Sequence, residues 1–263
     1  MGPESSDDDE EGSKLGRKDH WDETYVLELD NLQQTGDEGE IWFGEDVMET
    51  MVDWAVDLLQ KEHPLLPLEA AILDVGTGNG VLPLELASHG FSNLTGSDYS
   101  EAAIQLAKAV AEKRGISSVR WVVDDLLHTS ISDRFDMITD KGTFDAVGLS
   151  QDAAANKKLY ISAVRSLLKP GGLLVITSCN TTREELTEEF CGREEGGKRS
   201  KCAGKGDAEA GHDQAHRDSG VSAAGRGLTS GVFEYVDHVR TYPVFRFGGV
   251  EGSKVCTVAF RRT

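Results

Sequence analysis

Cysteine, basic charge and long apolar runs are all scarce in this chain of 263 residues. The four cysteines, Cys179, Cys191, Cys202 and Cys256, stand far apart and form no Cys-x-x-Cys pair. That spacing argues against a disulfide scaffold or a zinc site and points to a reducing cytosolic or nuclear setting. No stretch approaches the roughly 18 consecutive apolar residues of a membrane span, so no membrane association is expected. Residues 1–11 lack the basic start and apolar centre of a secretory signal. Lysine and arginine number 27 against 46 acidic residues, a net charge of −19. Such a surface repels phosphate backbones, which argues against a nucleic-acid partner and suits a basic protein partner.

What is present falls into three parts. Residues 1–18 read as a disordered acidic tail, and 19–69 as a helical extension and cap. In that extension Trp21, Tyr25, Leu29 and Leu32 recur at helical spacing. A second helix is predicted over 46–61, with Val47, Met51, Trp54 and Leu58 on one face and Pro64 and Pro67 beyond its end. From 70 to 263 strands and helices alternate. Strands are predicted at 70–75, 93–98, 118–123, 135–139 and 173–178, and helices at 81–88, 100–114 and 151–168. A short helix, capped by Thr181 or Thr182, follows. This alternation predicts an α/β fold, a parallel sheet with helices on both faces. Two β-rich runs, 233–242 and 254–261, look like a closing antiparallel pair. The segment 192–231 holds ten glycines, no aromatic residue, and only Val221 and Leu228 as large aliphatics. It cannot bury enough apolar area to offset chain ordering, so disorder is expected there. His212 and His216 lie four apart, but without a helix to align them no metal site is expected.

The chemistry concentrates at the ends of the predicted strands. Residues 72–80 run Ile-Leu-Asp-Val-Gly-Thr-Gly-Asn-Gly, a buried strand ending in a glycine loop at a helix N-terminus. Glycines there let the backbone turn sharply and let a nucleotide-like ligand approach the main chain. Gly76, Gly78 and Gly80 are spaced Gly-x-Gly-x-Gly, not the Gly-x-Gly-x-x-Gly of dinucleotide sites, and no Lys-Ser/Thr pair follows as in a triphosphate loop. Asp98 ends the second strand, where an ionised carboxylate can accept from both hydroxyls of a ribose. Asp124 and Asp125 end the third; either could accept from an adenine amino group, with Asp125 preferred and Leu126 packed near the ring.

Asp74-x-Gly-x-Gly-x-Gly80, Asp98, Asp125 and the Leu-Leu-Lys-Pro-Gly-Gly172 turn together resemble a class I S-adenosylmethionine-dependent methyltransferase. The resemblance implies a Rossmann-like seven-stranded sheet, mostly parallel with a C-terminal antiparallel pair. It makes S-adenosylmethionine the cofactor, with Asp74, Gly76, Gly78, Gly80, Asp98, Tyr99, Asp125 and Leu126 around it. His20-Trp-Asp-x-x-Tyr25, Gly39-Glu-Ile-Trp-Phe-Gly44 and Asp140-Lys-Gly-Thr-Phe-Asp145 narrow the likeness. They resemble the lysine methyltransferases that modify translation elongation factor 1-alpha. That family implies methyl transfer to a lysine amine, with elongation factor 1-alpha as the protein partner; a monomer is expected. The acceptor lysine must be neutral to attack, although its free pKa is about 10.4, and desolvation by aromatic walls lowers that value. Trp42 and Phe43 are candidates for those walls, and Asp140 is the candidate to orient the amine. Other acceptors on the same fold, and a cofactor-binding scaffold without turnover, are the competing readings.

Overall fold

The computed structural model describes residues 13–62, 67–192, 232–242, 244–247, 250–253 and 255–263. Seven strands form one sheet: β1 (Ile72–Val75), β2 (Leu94–Asp98), β3 (Val119–Val123), β4 (Phe135–Lys141), β5 (Leu168–Ser178), β6 (Phe233–His238) and β9 (Cys256–Arg262). Their order is β3-β2-β1-β4-β5-β9-β6. The first five are parallel, and β9 runs antiparallel to both β5 and β6. The expected sheet and its closing pair are therefore observed. Strand order reverses between β1 and β4, and ligands of open α/β sheets bind outside the carboxyl ends at such a switch point.

The central strands carry apolar residues on both faces because helices cover both. Ile72, Leu173 and Val175 join one core, with Met51, Ala55 and Leu59 of α2 (Glu45–Glu62), Leu84 of α3 (Val81–Ser88) and Leu106 and Val110 of α4 (Glu101–Lys113). Leu73, Val75, Leu174 and Ile176 point the other way. They meet Phe144 of α5 (Thr143–Gly148), Tyr160 and Val164 of α6 (Ala153–Leu167), and Phe190 of α7 (Arg183–Cys191). Ser100 caps α4 by accepting from the Ala103 N–H. Thr182, not Thr181, caps α7 in a reciprocal pair with Glu185.

The N-terminal part differs from expectation. Only residues 1–12 of the predicted tail lie outside the described residues. Ser13 caps a short 3-10 turn (Lys14–Gly16), and α1 spans Lys18–Thr35. This helix packs along α4, with Tyr25, Leu29 and Leu32 against the first core. Two further differences lie near β5 and β9. Phe135 pairs with Leu168 and Met137 with Leu173, so the Lys-Pro-Gly-Gly segment is an irregularity inside β5 instead of a turn before it. The connection between β6 and β9 contains a hairpin of its own, β7 (Val244–Phe247) with β8 (Val250–Ser253). The expected disorder of 192–231, and His212 and His216 within it, lies outside the described residues except for Gly192.

Candidate active site

A cleft of about 690 Å³ opens at the carboxyl ends of β1 to β5, on the side where strand order reverses. Its floor is the loop after β1. Gly76 (φ +63°) and Gly78 (φ +55°) adopt the left-handed region. A Cβ on Gly76 would meet the Thr143 hydroxyl at 2.0 Å, and one on Gly78 the Tyr25 hydroxyl at 2.8 Å. A side chain at either position would be strained and would collide with Thr143 or Tyr25, so glycine lets these two residues pack directly on the loop. Asp74 and Gly80 were expected at the cofactor but lie behind this loop. The Asp74 carboxylate accepts from the hydroxyls of Thr77 (2.7 Å) and Thr139 (2.8 Å), so it braces the loop from beneath. Burial pushes its pKa up to about 6. Gly80 (φ +77°) begins α3; a Cβ there would meet Trp121 and Ala107 at 2.6 and 2.7 Å, so it permits close helix–sheet packing.

Asp98 stands in the cleft wall and is 6% exposed. One carboxylate oxygen accepts from the Gly78 N–H (3.0 Å), the other from the Ser100 N–H (2.9 Å). A carboxylate offers about four lone-pair positions, so each oxygen keeps one acceptor site. Burial raises its pKa to about 6 despite those two donors. Tyr99, also in the wall, has its phenol pKa raised by burial and then by the Asp98 charge. Asp124, Asp125 and Leu126 line the cleft at the β3 end. Asp125 accepts from the Leu127 N–H (3.0 Å) and lies 3.0 Å from His128 Nδ1. Asp124 is more buried. One of its oxygens accepts from the backbone and hydroxyl of Ser130, and the other has no hydrogen-bond donor among the described residues.

The roof comes from α1. Trp21 and Tyr25 stack with ring centroids 5.9 Å apart, and Trp21 meets Trp42 edge-on at 5.0 Å. The Trp21 indole donates to the Leu15 carbonyl (2.9 Å), which ties the 3-10 turn to the helix. Trp21 and Tyr25 are cleft residues beyond those expected from the sequence. Their i,i+4 spacing, two aromatics on one helix face, is the sequence signal that points to them.

The far end, beyond β4, is formed by Trp42, Phe43, Lys141, Asp145, Cys179 and Asn180. Trp42 and Phe43 therefore lie in the cleft, whereas Asp140 does not. Asp140 is fully buried, and its carboxylate accepts from the Thr143 N–H (2.8 Å), the Phe144 N–H (2.9 Å) and the Tyr160 hydroxyl (2.5 Å). It caps the N-terminus of α5 with no face toward the cleft, which corrects the expectation that it meets the substrate amine. Burial pushes its pKa to about 7. Its neighbours do reach the cleft. Lys141 donates to the Trp42 carbonyl (3.2 Å), and burial lowers its pKa. Asp145 accepts from the Ser178 hydroxyl and the Cys179 N–H (2.8 Å).

The cleft fits S-adenosylmethionine on its own geometry. It has a glycine-rich loop along its floor, a carboxylate with a spare acceptor site on each oxygen one strand away, and acids beside an apolar residue one strand further. Seven strands in this order with that loop define the class I methyltransferase fold. Residues 69–221 match a family model described as a methyltransferase domain. The crystal structure of magnesium protoporphyrin IX methyltransferase from Synechocystis PCC 6803 superposes with a TM-score of 0.52 at 14% identity, covering 91% of this chain and 97% of that one, a likeness of fold alone. EEF1A lysine methyltransferase 2 of Homo sapiens is 47% identical over 180 residues, 68% of this chain and 74% of its own length. The Danio rerio protein of that name is 38% identical over 253 residues, 95% of this chain and 89% of its own. The chain belongs to the EEF1A lysine methyltransferase 2 family of methyltransferases.

Proposed function

We propose that the protein transfers a methyl group from S-adenosylmethionine to the side-chain amine of a lysine in translation elongation factor 1-alpha. The observation that carries this reading is the likeness along 95% of the chain to a relative named for that activity, joined to a cleft whose residues suit the cofactor. Asp98 would take the ribose hydroxyls, Asp124 or Asp125 with Leu126 the adenine, and Gly76 and Gly78 the methionine part along the loop. Bound there, S-adenosylmethionine supplies a methyl group activated by a sulfonium centre. The protein has to present a neutral amine in line with that bond, so positioning dominates. Trp42 and Phe43 desolvate an incoming ammonium, which favours its neutral form. The Lys141 cation beside them disfavours a second positive charge and acts in the same direction. Asp145 and Asn180 offer acceptors for the amine and its released proton. The net charge of −19 suits a basic protein surface as partner.

The test is transfer of labelled methyl to purified elongation factor 1-alpha, alongside the same factor with its lysine amines acetylated. Label on the first and none on the second is the expected outcome. Label that survives acetylation, or appears only on small amines, would overturn the lysine assignment.

A further inference from the structure

The turn that carries Trp42 and Phe43 into the cleft has an unusual backbone. The Gly44 N–H donates to the Ile41 carbonyl (2.8 Å), closing a four-residue turn with Trp42 and Phe43 at its centre. Phe43 occupies φ +70°, the only positive φ of a non-glycine among the described residues. The third position of such a turn is where glycine or asparagine is at ease. An L-residue with a bulky side chain is strained there. Strain of this kind persists where the surroundings fix a side chain for a purpose.

The surroundings do fix it. The ring lies over the start of α5, so close that a Cβ on Gly142 would stand 3.1 Å from it. Lys141 ties the turn to the end of β4 through the Trp42 carbonyl, and its ammonium lies 6.0 Å from the centroid of the Phe43 ring. A lysine side chain thus already lies beside this ring, and its charge disfavours a second ammonium there. Another edge of Phe43 packs against Val239, Tyr242 and Val255. Along the strand ends, Phe43 sits at the β4 side, whereas Asp98 and Asp125 stand two and three strands away in the order β3-β2-β1-β4.

We infer that Phe43 is a specificity-determining residue of the acceptor site, its ring forming the wall along which the substrate lysine reaches the cleft. The inference rests on the lysine methyltransferase reading above. The strained turn places an aromatic face where the lysine's alkyl stem can lie and its ammonium be desolvated, on the opposite side from the cofactor's ribose and base.

Phe43→Leu and Phe43→Tyr test this, through KM and kcat for elongation factor 1-alpha, cofactor Kd by calorimetry and thermal melting. Phe43→Leu keeps the apolar contact to Val239, Tyr242 and Val255 but removes the ring. It should lower kcat/KM about tenfold, as the lysine stem loses its ring contact and the ammonium its desolvating wall, with cofactor Kd changed less than about twofold. Phe43→Tyr restores the ring and should recover kcat/KM to within about threefold. Should Phe43→Leu fail to fold, Phe43→Met replaces it, since its flexible side chain fills the same space. Unchanged kcat/KM in the ringless variant would reduce Phe43 to packing and overturn the inference. Cofactor Kd weakening as much as kcat/KM would overturn it too, by placing the ring against the cofactor. A wild-type enzyme that labels no lysine overturns both this inference and the reading beneath it. Wild-type activity matched by Phe43→Leu overturns this inference alone.

Discussion

Asp98 is the last residue of β2 and Asp140 the last but one of β4, the two strands that flank β1, and both are buried acids with raised pKa values. Their surroundings separate their roles. Asp98 has two backbone donors and two free acceptor positions facing a cleft, whereas Asp140 has three donors and faces none. Asp98→Ala should therefore weaken S-adenosylmethionine binding by more than about tenfold, the loss of charge-assisted hydrogen bonds. Unchanged affinity in calorimetry would remove it from the site. Asp140→Asn turns an amide N–H₂ toward donors it cannot accept from, and should cost about 1–3 kcal/mol in denaturant melts. Cofactor Kd should then stay within about threefold. A collapse of turnover with stability intact would instead return Asp140 to the chemistry. The sequence placed both acids at strand ends because an acid breaking an apolar run is visible. It could not show which way each carboxylate turns, since the donors that decide it, Tyr160 above all, come from distant segments.

Elements were legible where period and punctuation agreed. The five parallel strands and α2, α3, α4 and α6 followed from apolar runs and glycine breaks, and Ser100 from its place before α4, whereas the short α5 carries too few residues to show a period. The roof was not legible as a roof. Residues 18–35 show a helix, but its docking on α4 depends on long-range packing. The turn that leads into α1 is seated separately, on the end of α5, where a Cβ on Gly16 would stand 2.2 Å from the Leu149 carbonyl oxygen. Gly16→Val should force the 3-10 turn off the end of α5 and loosen Trp21 and Tyr25 above the loop. Cofactor affinity should fall several-fold, and amide exchange over 13–25 should speed up. Wild-type affinity in that variant would mean that α1 covers the cleft without contributing to binding. The β7–β8 hairpin is a further element between the two closing strands, and its sequence signal is Gly248-Gly249 between two short β-rich runs.

At the scale of the whole molecule, Asp74, Asp98 and Asp140 are held at about 6, 6 and 7 by burial. Each raised value means that the folded chain holds its proton more tightly than the unfolded chain. That contribution to stability is complete below the ordinary carboxylate pKa and is lost as pH rises through 6 to 7. The excess negative charge acts in the same direction. The cofactor-free protein should therefore melt at a lower temperature at pH 8 than at pH 5. Cofactor affinity should move oppositely, strengthening from pH 5 to 7 as Asp98 ionises into the better acceptor. The melting-temperature gain on adding cofactor should accordingly grow with pH. A melting temperature that climbs from pH 5 to 7 without cofactor would contradict the burial account of these acids.

The central claim is that this cleft delivers a methyl group to a lysine. Its most direct test is mass spectrometry of elongation factor 1-alpha after incubation with labelled S-adenosylmethionine and either wild-type or Asp98→Ala enzyme, at equal folded concentration. The account predicts label on the side-chain amine of a defined lysine with the wild type, and its near loss with the variant. Label on another residue type, or equal labelling by both enzymes, would contradict it.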